Sequence, residues 1–269
     1  MSITVNNTPI KAFNFKAGEC HVSIANIEIG KVTSVIAYLY SSDNIMQLMM
    51  IIDAIRRQSA NTKIDLTVPY FPYARQDRVC NDGEAFSVFV MANMINSLEC
   101  NSVTVYDPHS TITTDLINNV RVVSQSDILT NSVVINDIKE KGLVLASPDN
   151  GAAKKTQDFA EGNNIDVIYC TKSRDVRTGK ITATNIPDGV EDKSFIIIDD
   201  ICDGGRTFIE LAKALKKAGA NDLYLYVTHG IFSKGLDVLK ESFIHVYCYH
   251  TFLNEPDIDS SYLTILEDS

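Results

Sequence analysis

Positive charge is scarce in this chain: 24 Lys and Arg stand against 34 Asp and Glu over 269 residues, a formal net charge of −10. Such a surface has no global field to draw in polyanions, which argues against nucleic acid and acidic membranes as partners. Any phosphate compound must be held by a local constellation. Long apolar runs are missing too: none approaches the ~20 residues that a membrane span requires. Met1-Ser2-Ile3-Thr4 lacks the basic start and apolar core of a secretory signal. Paired cysteines are absent: Cys20, Cys80, Cys100, Cys170, Cys202 and Cys248 are scattered, with no C-x-x-C and no His at zinc-ligand spacing. They read as reduced thiols of a cytoplasmic protein. The common nucleotide motifs are missing as well, with no G-x-x-x-x-G-K-[ST], no G-x-G-x-x-G and no kinase H-R-D.

With 45% hydrophobic and 22% charged residues, the chain has the composition of an ordinary globular protein. Its length suits one large domain or two of roughly 130 residues. Short β-branched runs alternate with helical stretches throughout. Residues 32–40 read as a strand and 43–60 as a helix, with Ile45, Leu48, Met49, Ile52 and Ile55 at helical spacing behind an Asp43/Asn44 cap. Strands at 63–68 and 102–106 flank a helix at 84–98. The second half repeats the rhythm: strands at 142–146, 165–171, 195–198 and 223–228, helices at 151–160 and 206–218. This βαβ order predicts an α/β fold of mainly parallel sheets flanked by helices. The simplest division is into domains 1–128 and 129–269.

Ligands of parallel α/β sheets bind at the carboxyl ends of strands. The polar clusters at 69–78, 107–110, 147–155, 172–177 and 199–207 fall there, so function is expected in these loops. In the most informative run, Phe195-Ile-Ile-Ile-Asp199-Asp200-Ile-Cys-Asp203-Gly204-Gly205-Arg206-Thr207, an apolar strand leads through acids into a glycine turn that opens a helix. Glycines let backbone N–H groups converge on an anion, the helix start adds positive potential, and the Thr207 hydroxyl can donate to a phosphate oxygen. Adjacent carboxylates suit a ribose diol or a metal. The same run also reads as a plain Asp-capped helix after a glycine turn.

That segment resembles the phosphoribosyl-pyrophosphate loop of type I phosphoribosyltransferases and, more closely, of ribose-phosphate pyrophosphokinases. Pro69-Tyr-Phe-Pro-Tyr-Ala-Arg75-Gln76-Asp77-Arg78 resembles the ATP signature of the second family, and Asp53-Ala-Ile-Arg-Arg-Gln-Ser-Ala60 the helix before it. Asp107-Pro-His109-Ser and Ser147-Pro-Asp149-Asn-Gly151 are similar to its metal-site segments, Thr228-His-Gly-Ile-Phe-Ser233 to a later strand end, and Phe15-Lys-Ala-Gly18-Glu19 to an adenine-contacting hairpin. The resemblance implies two tandem phosphoribosyltransferase-like domains, and transfer of diphosphate from ATP to the 1-hydroxyl of a phosphorylated ribose with release of AMP. It implies that Arg75, Gln76 and Asp77 bind ATP with His109, and that Phe15 stacks on adenine with Glu19 near its amino group, in a neighbouring subunit's site. His109 and Asp149 would hold magnesium (Mg2+), the carboxylate as a hard ligand and the imidazole through a water. Lys172 and Arg174 match the basic pair of a catalytic loop, where cations would meet the charge of the transferred diphosphate. Asp199 and Asp200 would orient ribose hydroxyls, and Asp203, Gly204, Gly205, Arg206 and Thr207 would cradle the 5-phosphate. A cytoplasmic homo-oligomer, dimer or hexamer, is implied. Arg75, Arg78, Lys172, Arg174, Arg177 and Arg206 would then form a local cationic site within the acidic whole.

Three departures qualify the resemblance. The family's loop reads Asp-Thr-x-Gly-Thr, so this chain loses a hydroxyl donor at 204 and gains a guanidinium at 206. An acceptor larger than ribose 5-phosphate fits that change, with ADP-ribose as the candidate and a 1-diphosphate product for NAD salvage. The basic stretch after Arg78 is replaced by Val79-Cys-Asn-Asp-Gly-Glu84. The chain ends soon after Tyr262–Leu266, and weak inhibition by ADP is expected in consequence. Two other classes share part of the pattern: a phosphoribosyltransferase, which has no reason to keep Arg75-Gln76, and a silent regulatory homologue, which has no reason to keep Lys172 and Arg174.

Overall fold

The computed structural model describes residues 2–174, 181–254 and 257–266. The chain divides into two compact units, Met1–Val123 and Ser124–Ser269.

The first unit carries β1 (Ile3–Val5), β2 (Thr8–Pro9), β3 (Ala12–Asn14), β4 (Cys20–Val22), β5 (Val32–Ala37), α1 (Ser42–Gln58), β6 (Lys63–Val68), α2 (Ser87–Asn96), β7 (Ser102–Tyr106), α3 (Thr111–Leu116) and β8 (Val120–Val123). Its main sheet runs β2-β1-β5-β6-β7-β8. β5 to β8 pair in parallel, and β1 pairs antiparallel with both β2 and β5. β3 and β4 form a separate antiparallel hairpin. The alternate residues Val35 and Ala37, Ile64, Leu66 and Val68, and Val103 and Val105 are all buried, and α1 covers them with Leu48, Ile51, Ile52 and Ile55. Apolar periodicity of 2 in the strands and 3.6 in the helix is thereby converted into one core.

The second unit carries α4 (Gln125–Thr130), α5 (Val133–Lys141), β9 (Val144–Ser147), α6 (Asn150–Asn163), β10 (Val167–Tyr169), β11 (Thr171–Arg174), β12 (Ile181–Asn185), β13 (Phe195–Cys202), α7 (Arg206–Lys217), β14 (Leu223–Gly230), α8 (Asp237–Lys240), β15 (His245–Thr251) and β16 (Leu263–Ile265). Its six strands run β10-β9-β13-β14-β15-β16, all parallel. The two central strands are apolar without alternation, as both faces of the sheet are covered: Phe195 to Ile198 and Leu223 to Val227 are buried throughout.

Several boundaries differ from the sequence expectation, each for a local reason. The helix expected at 84–98 begins only at Ser87, because the Glu84 carboxylate accepts from the N–H groups of Cys80 and Asn81 and holds a turn. The α1 cap is Ser41, whose hydroxyl accepts from the Asn44 N–H at 3.3 Å, rather than Asp43 or Asn44. The strand expected at 165–171 divides at Cys170: β10 follows β9, whereas Thr171 turns to pair with Asn185 in the β11–β12 hairpin. The strand expected at 195–198 runs on to Cys202, because β14 continues beside it as far as the Cys202–Gly230 pair. Asp199 and Asp200 are therefore ladder residues.

Candidate active site

The strand order of the second unit reverses between β9 and β13, whose chains leave the sheet in opposite directions, to β10 and to β14. Such a reversal opens a crevice beyond the carboxyl ends of the two strands, the usual ligand position of open α/β sheets. Asp149 follows β9, and residues 199–207 end β13 and open α7. The fold thus brings Asp149, Asp199, Asp200 and the glycine turn to one place.

The carboxylates there are crowded. Asp200 is buried and donates its N–H to Asp199 Oδ1 at 3.0 Å. Burial, then the charge of Asp200 and to a lesser degree that of Asp149, push the Asp199 carboxyl well above the usual range. Asp149 also has a structural task. As N-cap of α6, its Oδ1 accepts from Gly151 N at 3.0 Å and Ala152 N at 3.3 Å.

The turn that follows is built for close approach. Gly205 caps α7 in the left-handed region at φ 74°, and a Cβ there would lie 2.9 Å from Leu239 Cδ2. No side-chain cap bonds the α7 N-terminus, which leaves its first N–H groups for an anion. Arg206 does not lie across the turn: its Nε donates to Glu210 Oε1 at 2.7 Å, one helical turn on, and its side chain is 85% exposed. Cys202 offers no nucleophile, because burial, with Asp199 and Asp203 nearby, pushes its thiol up to about 12.

In the first unit, residues 69–78 and 107–109 follow the adjacent parallel strands β6 and β7. The two loops are tied at their start by Tyr106 N–H to Pro69 O at 3.3 Å. Arg75, Gln76 and His109 are exposed there. Asp77 is buried and accepts from Arg78 Nε at 3.2 Å. Phe15 and Glu19 sit at the β3–β4 hairpin, closed by Phe15 N–H to Glu19 O at 2.8 Å, with Phe15 53% exposed. Lys172 and Arg174 are paired along the backbone of β11 with Thr184 and Ile181; Arg177 lies outside the described residues. Among the described residues, no three His, Cys, Asp or Glu side chains are grouped to hold a metal. No described helix is long and apolar enough to cross a membrane.

Sequence reasoning follows the strand end after β14 as far as Ser233 and passes over Lys234, whose stem covers Gly204. Its only sequence signal is a lysine held between Ser233 and Gly235 at a strand's carboxyl end.

Residues 1–98 match the family described as the N-terminal domain of ribose phosphate pyrophosphokinase, and residues 177–247 that described as the phosphoribosyl synthetase-associated domain. A ribose-phosphate pyrophosphokinase of Campylobacter jejuni is 31% identical over 239 residues, 87% of this chain and 74% of the relative. One of Hyphomonas neptunium is 32% identical over 197 residues, 72% of this chain and 62% of the relative. This chain therefore spans about three fifths of the length of some curated relatives it matches. The crystal structure of phosphoribosylpyrophosphate synthetase from Mycobacterium smegmatis superposes with a TM-score of 0.81 at 21% identity, covering 96% of this chain and 85% of the other. That likeness shows the fold: two tandem α/β units of phosphoribosyltransferase type.

Proposed function

Because the chain belongs to the ribose-phosphate pyrophosphokinase family, we propose that it transfers the β,γ-diphosphate of ATP to the 1-hydroxyl of ribose 5-phosphate and releases AMP. The observation that carries this reading is the proximity of Asp149, Asp199 and Asp200 and a glycine turn with no side-chain cap at the reversal of strand order. Acids there suit the sugar's hydroxyls, and the turn suits its phosphate. In the reaction the 1-oxygen bonds to the β-phosphorus, the bond from that phosphorus to the oxygen bridging to the α-phosphate breaks, and the hydroxyl proton is lost. AMP leaves with the bridging oxygen. Such chemistry needs positioning and electrostatics rather than a protein nucleophile, which accords with the inert Cys202 thiol.

Each expected residue takes a role. Asp199 and Asp200 orient the ribose diol, and Asp203 to Thr207 hold the 5-phosphate. Arg75 and Gln76 bind the nucleotide's phosphates, Asp77 fixes Arg78 beside them, and Phe15 and Glu19 meet the adenine of a neighbouring subunit in a homo-oligomer. Lys172 and Arg174 bring cations to the transferred group. Magnesium is a hard dication that suits a carboxylate oxygen: Asp149 would hold it directly and His109 through a water. When bound, the ion neutralises charge on the diphosphate.

ADP-ribose is the second reading, favoured by the missing side chain at Gly204 and by the added guanidinium at Arg206, the first residue of α7. One assay decides: AMP release from ATP and magnesium with each sugar phosphate. Release with ribose 5-phosphate and none with ADP-ribose supports the first reading, and the reverse result supports the second. No AMP with either sinks both and favours a phosphoribosyltransferase or a silent homologue.

A further inference from the structure

We infer that Lys234 is a phosphate-binding and specificity residue of the acceptor site, its side chain standing in for the one that Gly204 lacks. The inference rests on reading residues 203–207 as the acceptor's phosphate cradle.

A Cβ at Gly204 would lie 3.5 Å from Lys234 Cε, 3.6 Å from Cδ and 3.8 Å from Cγ. Three successive carbons at almost one distance mean that the lysine stem runs alongside position 204. The space beside the glycine is therefore filled, from a different loop. The Lys234 residue itself is solvent-exposed, and its Nζ is one bond beyond Cε. This is the arrangement of a lysine that lays its methylenes on backbone and keeps its charge in water.

The position is fixed by the backbone. Ile231 and Phe232 both donate N–H to Cys202 O, at 2.9 and 3.0 Å, and Ser233 donates to Asp203 O at 3.1 Å. Gly235 N–H closes a turn to Phe232 O at 2.7 Å. Phe232 is buried at φ 47°, and a Cβ at Gly230 would lie 2.1 Å from its ring, so the loop is locked through its own aromatic plug. Lys234 is thereby held in register with residues 202–204. Arg206 is tied along α7 to Glu210, whereas Lys234 lies on the glycine.

The chemistry selects the ligand class. An ammonium on a flexible stem acts as a point charge and suits a compact phosphate dianion, complementing the N–H groups of the turn. With the lysine stem filling the gap at 204, the cradle is sized for a terminal phosphate monoester. A phosphate within a diphosphate bridge carries less charge and more bulk, so Lys234 favours ribose 5-phosphate over ADP-ribose.

The test uses the full chain, with calorimetric titration of ribose 5-phosphate alongside steady-state AMP release. K234M keeps the stem and removes the charge. Its ribose 5-phosphate affinity is expected to fall about tenfold and its KM for that sugar to rise to match, with kcat and the KM for ATP held within about twofold. K234A is expected to show the same loss, and K234A/G204T to recover most of it, because threonine returns a hydroxyl donor to the vacated space. Wild-type affinity in K234M overturns the inference, and so does a lack of recovery in the double variant. Lys234-dependent binding without AMP release supports the inference and refutes the proposed reaction. AMP release with an unchanged sugar KM in K234M does the opposite, and a wild-type chain that neither binds the sugar nor releases AMP overturns both.

Discussion

Asp200 donates its backbone N–H to the side chain of Asp199 at 3.0 Å, so two neighbouring carboxylates are held within one parallel strand. A strand interior gains nothing from consecutive acids, and burial makes their charge costly. The Asp199 carboxyl is accordingly pushed well above its usual range. Between the ordinary value near 4 and that raised value, the folded chain binds more protons than the unfolded one. Stability from this group therefore falls as pH rises through the window, so a carboxyl at position 199 costs stability at neutral pH. Asp199→Asn keeps the acceptor oxygen for Asp200 and removes the charge. Its melting temperature at pH 7 is expected to exceed that of the wild type by roughly 2–4 °C, about 1 kcal/mol. The gain should vanish near pH 4, while AMP release is lost. A lower melting temperature at pH 7 would show that the carboxylate is stabilised where it stands.

Asp149 separates its two tasks by substitution. Its Oδ1 caps α6 through Gly151 and Ala152, a task asparagine performs as well as aspartate. Asp149→Asn is expected to melt with the wild type and to lose activity along with its magnesium dependence. Asp149→Ala should lose activity and also about 1 kcal/mol of stability. Equal melting of both variants, well below the wild type, would assign the residue to the charge network rather than to the cap.

Two glycines of the loop that carries Lys234 are required for different reasons. Gly235 sits at φ 73° with open space where a Cβ would be, so Gly235→Ala carries only the left-handed penalty, about 1 kcal/mol. Gly230 would place a Cβ 2.1 Å from the buried Phe232 ring. Gly230→Ala must expel that ring, and about 3 kcal/mol is expected, at the upper end of overpacking costs. Urea midpoints rank the two, and the reverse order would place Phe232 outside the lock.

What was legible in the sequence followed local pattern. Ile45, Leu48, Ile52 and Ile55 mark α1 by spacing alone, and the apolar run from Phe195 to Ile198 marks a central strand. Asp199 and Asp200 were legible as functional because acids interrupt that run. Their place inside the strand was not, since it depends on β14 continuing alongside, its paired residues 28 positions downstream. The cap made by Asp149 is local and could have been read from an Asp just before the helix expected at 151–160; Lys234 over Gly204 was hidden, because it is a relation in space between two loops. Arg206 stood out in sequence as the unusual cation, yet a helical neighbour four residues on, Glu210, holds it.

The β3–β4 hairpin makes the last test. Phe13 and Phe15 are 51% and 53% exposed and meet edge to face at 5.1 Å, with His21 5.4 Å from Phe13. Two large exposed rings on a hairpin outside the main sheet add little to a core, but they offer an aromatic face for a purine. Base stacking is worth about 1–3 kcal/mol, so Phe15→Ala is expected to raise the KM for ATP roughly 5- to 150-fold. Its melting temperature and sugar KM should stay near wild type. If the ring serves a neighbouring subunit, activity per chain must also fall on dilution, with the loss tracking dissociation in sedimentation. Normal ATP affinity with a lowered melting temperature would make Phe15 a packing residue of the hairpin and return the adenine site to other side chains.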